Sequence, residues 1–286
     1  MATIIDGRKL AIEVRERAAA EVAELASRGI PCGLAVVLVG DDQGSATYVR
    51  AKLRDCELCG IPSHDYKLPA DTTQEELMDL IARLNADAGV AGILVQMPLP
   101  AHLDEEQVVL AIDPLKDVDG FHPENLGRLV RGLPGLRPCT PAGIMEMLDA
   151  YGVDPAGKNA VIVGRSSIVG KPMSLMLLAR NATISVAHSH TDPRELARIC
   201  QSADILVAAC GIPKMVKGPW VKPGAAVIDV GMDRDEDGKL CGDVDFASAE
   251  LVAGHITPVP GGVGPMTRAM LMSNVALAAK IQHGFA

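Results

Sequence analysis

The chain has 286 residues, of which 48% are hydrophobic and 22% are charged, and its formal net charge is −9. A length of this order suits about two domains with a sizeable buried core. The acidic balance and an aromatic content of 2% exclude nucleic acid and an anionic membrane surface as expected partners, because such sites need clustered positive charge or stacking rings.

The beginning of the chain reads MATIIDGRKL, which lacks the uninterrupted apolar stretch of a signal peptide. No later segment approaches the ~20 apolar residues of a membrane helix. The seven cysteines fall mostly within apolar patterns, which favours reduced thiols over a disulfide framework. We therefore expect a globular, cytoplasmic protein that does not bind a membrane.

Two segments imitate metal sites. Cys56 and Cys59 form a CxxC pair, but they continue the apolar helical spacing of the residues before them, so core packing is favoured over a zinc or redox site. Residues 233–238 copy the start of a calcium loop, yet the twelfth position is Val244 instead of the required glutamate. We predict a polar hairpin turn there and no bound metal.

Helical and strand patterns alternate in the first half of the chain. Strands separated by amphipathic helices predict βαβ units and a parallel sheet. In chain order we predict a helix at 7–28, a strand at 34–39, helices at 45–59 and 73–85, a strand at 92–96 and a helix at 141–151.

A second series of the same kind follows. It comprises a strand at 160–163, a helix at 170–180, a strand at 183–187, a helix at 193–202, strands at 205–209 and 226–230, and a last helix at 267–282. This spacing is typical of a Rossmann-type domain. We therefore predict two α/β domains, the second of Rossmann type, with a cleft between them.

Residues 161–172 place a buried strand, a glycine turn and a helix start in succession. A helix N-terminus offers free N–H groups to a pyrophosphate. The spacing is not GxGxxG, because Ser166 replaces the second glycine and Gly170 comes one residue late. By itself this pattern fits either a nucleotide-binding loop or a plain turn between strand and helix.

The end of the next strand bears on the choice of cofactor. An NAD site usually carries Asp or Glu there to bind the ribose 2′-hydroxyl, whereas this chain has no carboxylate up to Thr191. Arg165 and Ser189 instead offer a cation and a hydroxyl to a 2′-phosphate, which favours NADP. Asp192 keeps NAD open. We interpret the nearby His188 and His190 as loop residues near the adenosine end.

The first domain carries a second group of polar residues. Tyr48 and Lys52 lie four residues apart and would share one helix face. The turn at 40–42 follows a buried strand and opens this helix, at the sheet edge where ligands bind in open α/β folds. Gln96 ends the next strand at the same edge, and residues 116–121 then place two carboxylates before a glycine.

The segment ITPVPGGVGPMT, residues 256–267, has three glycines and three prolines. Glycine lets the main chain approach a flat ligand closely, and proline stiffens the loop between those points. A hairpin needs only about two to five residues. The length and composition of this loop therefore predict a ligand-binding surface made of backbone.

Together, the YxxxK, VQxP, DVDG and PGGVG motifs resemble those of the bifunctional methylenetetrahydrofolate dehydrogenase/cyclohydrolases, in the expected order and over essentially the whole chain. The resemblance implies NADP-dependent oxidation of 5,10-methylenetetrahydrofolate and hydrolysis of the product to 10-formyltetrahydrofolate by a homodimer. It implies a folate-binding catalytic domain at 1–139, an NADP-binding domain at 140–266 and a C-terminal helix at 267–286 that packs back on the first domain.

The resemblance also implies the site residues. Four are expected to be catalytic: Tyr48, Lys52, Gln96 and Asp119. The folate site adds Val95, Met97, Pro260, Gly261, Gly262, Val263 and Gly264, and Met97 departs from the leucine commonly found there. The NADP site is expected to use Gly164, Arg165, Ser166, Ser189, Val230 and Met232.

Each catalytic role has a physical reason. Oxidation of the folate needs no strong acid, so Tyr48 would fix the ring system and Asp119 would bind the pterin N–H groups. Hydrolysis at neutral pH needs a base, and a lysine can serve if its surroundings lower its pKa. Lys52 is that candidate, held by the neutral amide of Gln96. Lys52→Met is therefore expected to abolish hydrolysis.

Three alternative functions fit parts of this pattern. A short-chain dehydrogenase also uses YxxxK, but its glycine-rich loop precedes that motif, whereas Gly164 follows Tyr48 by more than a hundred positions. A monofunctional NAD-dependent dehydrogenase would not need both Lys52 and Gln96. A nucleotide-binding scaffold without activity would not need the residues of the first domain.

Overall fold

The computed structural model describes residues 1–285, which form two compact α/β units. The six-stranded unit comprises residues 1–11 and 140–267, and the three-stranded unit comprises the described residues 12–139 and 268–285. Residues 1–11 thus group with the second half of the chain, whereas the family resemblance implied that they belong to a first domain at 1–139. The physical reason is a short strand, Thr3–Ile4, that pairs with His255–Ile256.

The elements follow one another along the whole chain. In order they are β1 (Thr3–Ile4), α1 (Gly7–Ser27), β2 (Gly33–Val39), α2 (Gln43–Cys59), β3 (Ser63–Leu68), α3 (Gln74–Ala86), β4 (Val90–Val95), α4 (Glu105–Ala111), α5 (Pro123–Val130), α6 (Cys139–Ala150), β5 (Asn159–Val163), α7 (Gly170–Ala179), β6 (Thr183–Ala187), α8 (Pro193–Gln201), β7 (Ile205–Ala208), a 3₁₀ turn (Gly218–Trp220), β8 (Ala226–Asp229), β9 (Asp233–Arg234), β10 (Leu240–Cys241), α9 (Phe246–Ala249), β11 (His255–Ile256) and α10 (Val263–Gln282).

The three-stranded unit has a parallel sheet in the order β3-β2-β4. Every residue of the central strand β2 is buried. Its alternate residues pack into two apolar clusters, one with α1, α2 and α10 and the other with α3. A parallel sheet covered on both faces explains why this strand reads as a continuous apolar run.

The six-stranded unit has a sheet in the order β1-β11-β8-β7-β5-β6, and all of its pairings are parallel. The register pairs Val163 with both Ala187 and Ala208. The carboxyl ends of β5, β6 and β7 therefore lie at one edge of the sheet. The prediction of two α/β domains, the second of Rossmann type, is confirmed.

The structure also tests several predictions about single turns, cysteines and helix ends. Residues 233–241 form the predicted hairpin, with β9 and β10 antiparallel. Cys56 and Cys59 are buried in the apolar core beside α1 and α10, as predicted. The last helix begins at Val263 instead of 267, so the final part of the glycine- and proline-rich segment is helical. Within residues 1–285, no helix is both long enough and apolar enough to cross a membrane.

Candidate active site

Lys52 and Gln96 meet in the three-stranded unit. Lys52 lies on α2 and is only 6% exposed, and its Nζ donates a hydrogen bond of 3.0 Å to Gln96 Oε1. Gln96 follows β4, and its main-chain N–H donates to Val37 O at 2.8 Å. Its side-chain Nε2 donates to Met97 O at 2.6 Å. These two bonds orient the Gln96 amide so that its oxygen faces the lysine amine.

Tyr48 lies one helical turn before Lys52 on α2, on the same face. The Lys52 Nζ is 5.1 Å from the centroid of the Tyr48 ring, within the range of a cation–π contact. Burial raises the pKa of the Tyr48 phenol, and the charge of Arg268 partly opposes that rise. Tyr48 is therefore a neutral hydroxyl at physiological pH.

The two carboxylates of the DVDG motif differ in their surroundings. Asp117 is buried and accepts hydrogen bonds from the N–H groups of Gly120 (3.1 Å) and His122 (2.8 Å) and from Asn125 Nδ2 (2.9 Å). These bonds shape the loop, so Asp117 has few lone pairs left for a ligand.

Asp119 accepts no hydrogen bond from any residue between 1 and 285, although its side chain is only partly accessible. Burial raises the pKa of Asp119 to about 6, an effect that the charge of Lys52 opposes and that of Asp117 reinforces. A half-buried carboxylate whose oxygens lack partners is suited to bind donor groups of a ligand. The structure thus brings Tyr48, Lys52, Gln96 and Asp119 into one polar cluster.

Sequence reasoning missed two residues that support this cluster. Asn274 on α10 donates from Nδ2 to Val118 O and to Arg137 O, both at 2.8 Å. The Cys139 Sγ donates to Val118 O at 3.3 Å. Both contacts hold the main chain next to Asp119. A single asparagine in the apolar run of α10 was the only signal in the sequence.

In the six-stranded unit, the loop after β5 depends on two close approaches of main chain. A Cβ on Gly164, whose φ is +128°, would lie 2.0 Å from Ala209 O, and one on Gly170 would lie 2.3 Å from Gly164 O. The Ser166 Oγ accepts hydrogen bonds from the N–H groups of Val169 (3.2 Å) and Gly170 (3.3 Å). The residue that departs from GxGxxG therefore binds main-chain N–H groups at the start of α7, and Arg165 beside it is exposed.

Ser189 is exposed in the loop after β6. Asp192, which kept NAD open, is the N-cap of α8 and accepts the N–H groups of Arg194 (2.9 Å) and Glu195 (3.3 Å). His188 accepts the N–H of His190 at 3.2 Å, so it stabilises its own loop. Asp192 is thus oriented towards its helix, which removes the main argument for NAD.

Val95 ends β4 and Met97 follows Gln96 in the three-stranded unit, whereas the other predicted residues lie in the six-stranded unit. The Val230 N–H donates to Ala208 O at 2.9 Å, and Met232 is 57% exposed. The loop from Pro260 to Gly264 rests on the first residues of the chain. A Cβ on Gly7 would lie 1.9 Å from Gly262 O, so only glycine fits beneath this loop.

The chain matches known proteins over nearly its full length. The sequence model "Tetrahydrofolate dehydrogenase/cyclohydrolase, catalytic domain" matches residues 5–119, and the corresponding "NAD(P)-binding domain" model matches residues 138–283. The "Bifunctional protein FolD" of Anaeromyxobacter dehalogenans is 60% identical over 97% of this chain and 98% of its own length.

Solved structures show the same similarity. The bifunctional enzyme FolD-methylenetetrahydrofolate dehydrogenase/cyclohydrolase of Campylobacter jejuni has a TM-score of 0.95 and 47% identity, covering 99% of this chain and 100% of that one. The Trypanosoma brucei methylenetetrahydrofolate dehydrogenase-cyclohydrolase, solved with NADP cofactor and an inhibitor, has a TM-score of 0.93 and 40% identity, covering 100% of this chain and 99% of that one.

Proposed function

This chain belongs to the tetrahydrofolate dehydrogenase/cyclohydrolase family, and we propose that it oxidises 5,10-methylenetetrahydrofolate with NADP and hydrolyses the methenyl product to 10-formyltetrahydrofolate. The family resemblance read from the motifs is confirmed by both domain models. NADP as the cofactor is confirmed by the NAD(P)-binding domain and by the relative solved with NADP. A monofunctional NAD-dependent enzyme and a short-chain dehydrogenase are not favoured.

The observation that carries the hydrolytic half is the 3.0 Å hydrogen bond from Lys52 Nζ to Gln96 Oε1. The methenyl bridge carries positive charge on a carbon between two nitrogens, and water must lose a proton as it attacks that carbon. The bond to Gln96 Oε1 fixes the position of the Lys52 amine, whose nitrogen lone pair is the group that would accept this proton. Lys52 is then the general base, and Gln96 orients it.

The oxidation step requires orientation more than acid or base chemistry, because the folate loses a hydride and becomes a cation without proton transfer. Asp119 has unpaired oxygens that suit the amino and ring N–H groups of the pterin. Tyr48, as a neutral phenol next to Lys52, fixes the ring system. Val95 and Met97 flank Gln96 in the three-stranded unit and are proposed folate contacts there. The backbone from Pro260 to Gly264, in the six-stranded unit, is proposed as a folate contact on the family resemblance.

The residues of the six-stranded unit fit a bound NADP, whose role when bound is to accept the hydride. The backbone cradle at Gly164 and Gly170 has no room for a Cβ. Arg165 and Ser189 are exposed and have no carboxylate in the place that an NAD site would use. They would hold the 2′-phosphate, with Ser166 beside them, while the main chain from Val230 to Met232 would lie beside the nicotinamide.

We also propose how the protein is organised. The three-stranded unit, with the C-terminal helix that the sequence placed at 267–286, would bind folate, and residues 140–266 would bind NADP. The core cluster shared by α10, α1 and α2 supports the assignment of that helix to the folate unit. The family resemblance supports a cytoplasmic homodimer.

An activity assay with purified protein tests the function. Methylenetetrahydrofolate is supplied with NADP or with NAD and cofactor reduction is followed, and hydrolysis of separately prepared methenyltetrahydrofolate is then measured without cofactor. We expect faster reduction of NADP than of NAD and enzyme-dependent hydrolysis. Reduction without hydrolysis would leave a dehydrogenase and remove the role of Lys52, and reduction of neither cofactor would contradict the proposal.

A further inference from the structure

Two buried carboxylates in the six-stranded unit have no part in the proposed chemistry. Asp229 ends β8 and is 3% exposed. Its Oδ1 accepts the N–H groups of Gly231 (3.0 Å) and Asp243 (2.9 Å), and its Oδ2 accepts that of Val244 (3.0 Å). The N–H of Asp229 itself donates to Thr257 Oγ1 at 2.7 Å. Asp229 therefore fixes the backbone that follows it.

Asp243 holds a neighbouring loop in the same way. It is fully buried, its Oδ2 accepts the N–H of Cys210, and its Oδ1 accepts that of Ile212, both at 2.7 Å. Cys210 and Ile212 belong to the loop after β7. Because Asp243 also donates its own N–H to Asp229, the two carboxylates join the loops after β7 and β8 into one network.

The network leaves no room for a side chain at two of its glycines. A Cβ on Gly231 would lie 2.4 Å from the Asp243 nitrogen, and one on Gly242 would lie 2.0 Å from Asp229 Oδ2. Burial raises the pKa of Asp229 to about 7, and the charge of Asp243 adds to this effect. Burying two like charges costs free energy, yet main-chain N–H groups from both loops bind to them. These hydrogen bonds connect the two loops to each other.

Both loops lie at the carboxyl edge of the sheet, where ligands bind in open α/β folds. We propose that Asp229 and Asp243 are positioning residues for the nicotinamide half of NADP, acting through the main chain of residues 210–212 and 230–232. This inference rests on the proposed NADP function and on the place given there to Val230–Met232. The adenosine half would be held by separate loops, at Gly164–Ser166 and Ser189.

The assignment of the two halves of NADP to separate loops can be tested with two ligands of different length. NADP spans both halves of the site, whereas 2′,5′-ADP carries only the adenosine with its 2′- and 5′-phosphates. Asp229→Asn and Asp243→Asn each place an amide NH₂ against a main-chain N–H and so remove one acceptor. Asp204→Asn is the matched control, because Asp204 accepts the Asn159 N–H at 2.9 Å but lies at the opposite edge of the same sheet.

Calorimetric titration should show about tenfold weaker NADP binding in both variants, and turnover in the oxidation step should fall by about ten- to a hundredfold, the scale expected for misplaced reactants. Binding of 2′,5′-ADP and hydrolysis of methenyltetrahydrofolate should stay within about twofold of the wild type, as should all properties of Asp204→Asn. Gly231→Ala, which keeps both carboxylates but displaces the loop, should give the same pattern.

Two results would overturn the inference. NADP binding and turnover could remain at the wild-type level in all three variants, which would show that the network does not position the cofactor. Alternatively, 2′,5′-ADP binding could weaken as much as NADP binding, which would show a general structural role. A wild-type enzyme that does not reduce NADP would instead contradict the proposed function, so the two failures are distinguishable.

Discussion

Replacing Asp119 with asparagine is expected to make the protein more stable while it impairs folate binding. Asp119 is a half-buried carboxylate without a hydrogen-bond donor among residues 1–285, and burial raises its pKa to about 6. A group whose pKa is higher in the folded than in the unfolded state is destabilising once both states are ionised. Stability therefore falls as the pH rises from near 4 to 6, and the asparagine variant should lack this loss.

The size of the effect follows from the shift. Raising the pKa from the ordinary 3.8 to about 6 corresponds to ~3 kcal/mol at ~1.4 kcal/mol per unit. Partial solvent access reduces this value, so we expect the variant to gain ~1–3 kcal/mol above pH 7. About half of the gain should develop between pH 5 and pH 8, because ionisation of the folded state is completed in that interval.

Urea unfolding at pH 5 and pH 8 measures the change, and steady-state kinetics measures the expected rise in KM for folate. Asp117→Asn is the control in the same loop, since Asp117 accepts the Gly120 and His122 N–H groups. Loss of one acceptor there should lower the free energy of unfolding by ~1–3 kcal/mol. If Asp119→Asn destabilised the protein equally at both pH values, the account of Asp119 as an unsatisfied carboxylate would be refuted.

Three further changes give separate expectations. Gly7→Ala should raise the KM for folate by about tenfold, because its Cβ would lie 1.9 Å from Gly262 O and the resulting loop shift would weaken the orientation of the folate. An unchanged KM would show that this loop does not contribute to folate binding. Arg165→Gln should raise the KM for NADP by about ten- to a hundredfold through loss of a charge-assisted hydrogen bond, with the KM for NAD unchanged; an equal rise for both would contradict a 2′-phosphate contact. Asp192→Ala should lower the free energy of unfolding by ~1 kcal/mol, because α8 loses its N-cap. The ratio of NADP to NAD activity should not change, and a shift of that ratio towards NADP would show that Asp192 contacts the ribose.

The parallel units could be predicted from the sequence because buried strands leave continuous apolar runs, as in β2. Spacing alone also brought Tyr48 and Lys52 to one helix face, and the rule for sheet edges placed Gln96 beside them. The edge strand β3 was missed because its residues are largely exposed and polar. β1 and β11 have two residues each, too few for any periodic pattern.

Other features depend on contacts that spacing does not encode. The DVDG motif shows two equivalent carboxylates, and only the folded loop separates Asp117, which binds main-chain N–H groups, from Asp119, which does not. Asn274 lies far along the chain from the Val118 carbonyl that it binds. The helical start at Val263 was also hidden, because Pro265 suggested a loop although proline is tolerated in the first turn of a helix.

The role of Lys52 as the base is tested by the hydrolysis rate of methenyltetrahydrofolate in Lys52→Met, measured beside NADP reduction in the same preparation. Lys280→Met serves as the control, since Lys280 belongs to the same unit but pairs with Glu21 at 2.9 Å. Removing a general base typically costs ~10²–10⁴-fold, so we predict that hydrolysis falls by at least about a hundredfold while NADP reduction persists and methenyltetrahydrofolate accumulates. An unchanged hydrolysis rate in Lys52→Met would contradict the assignment of Lys52 as the base.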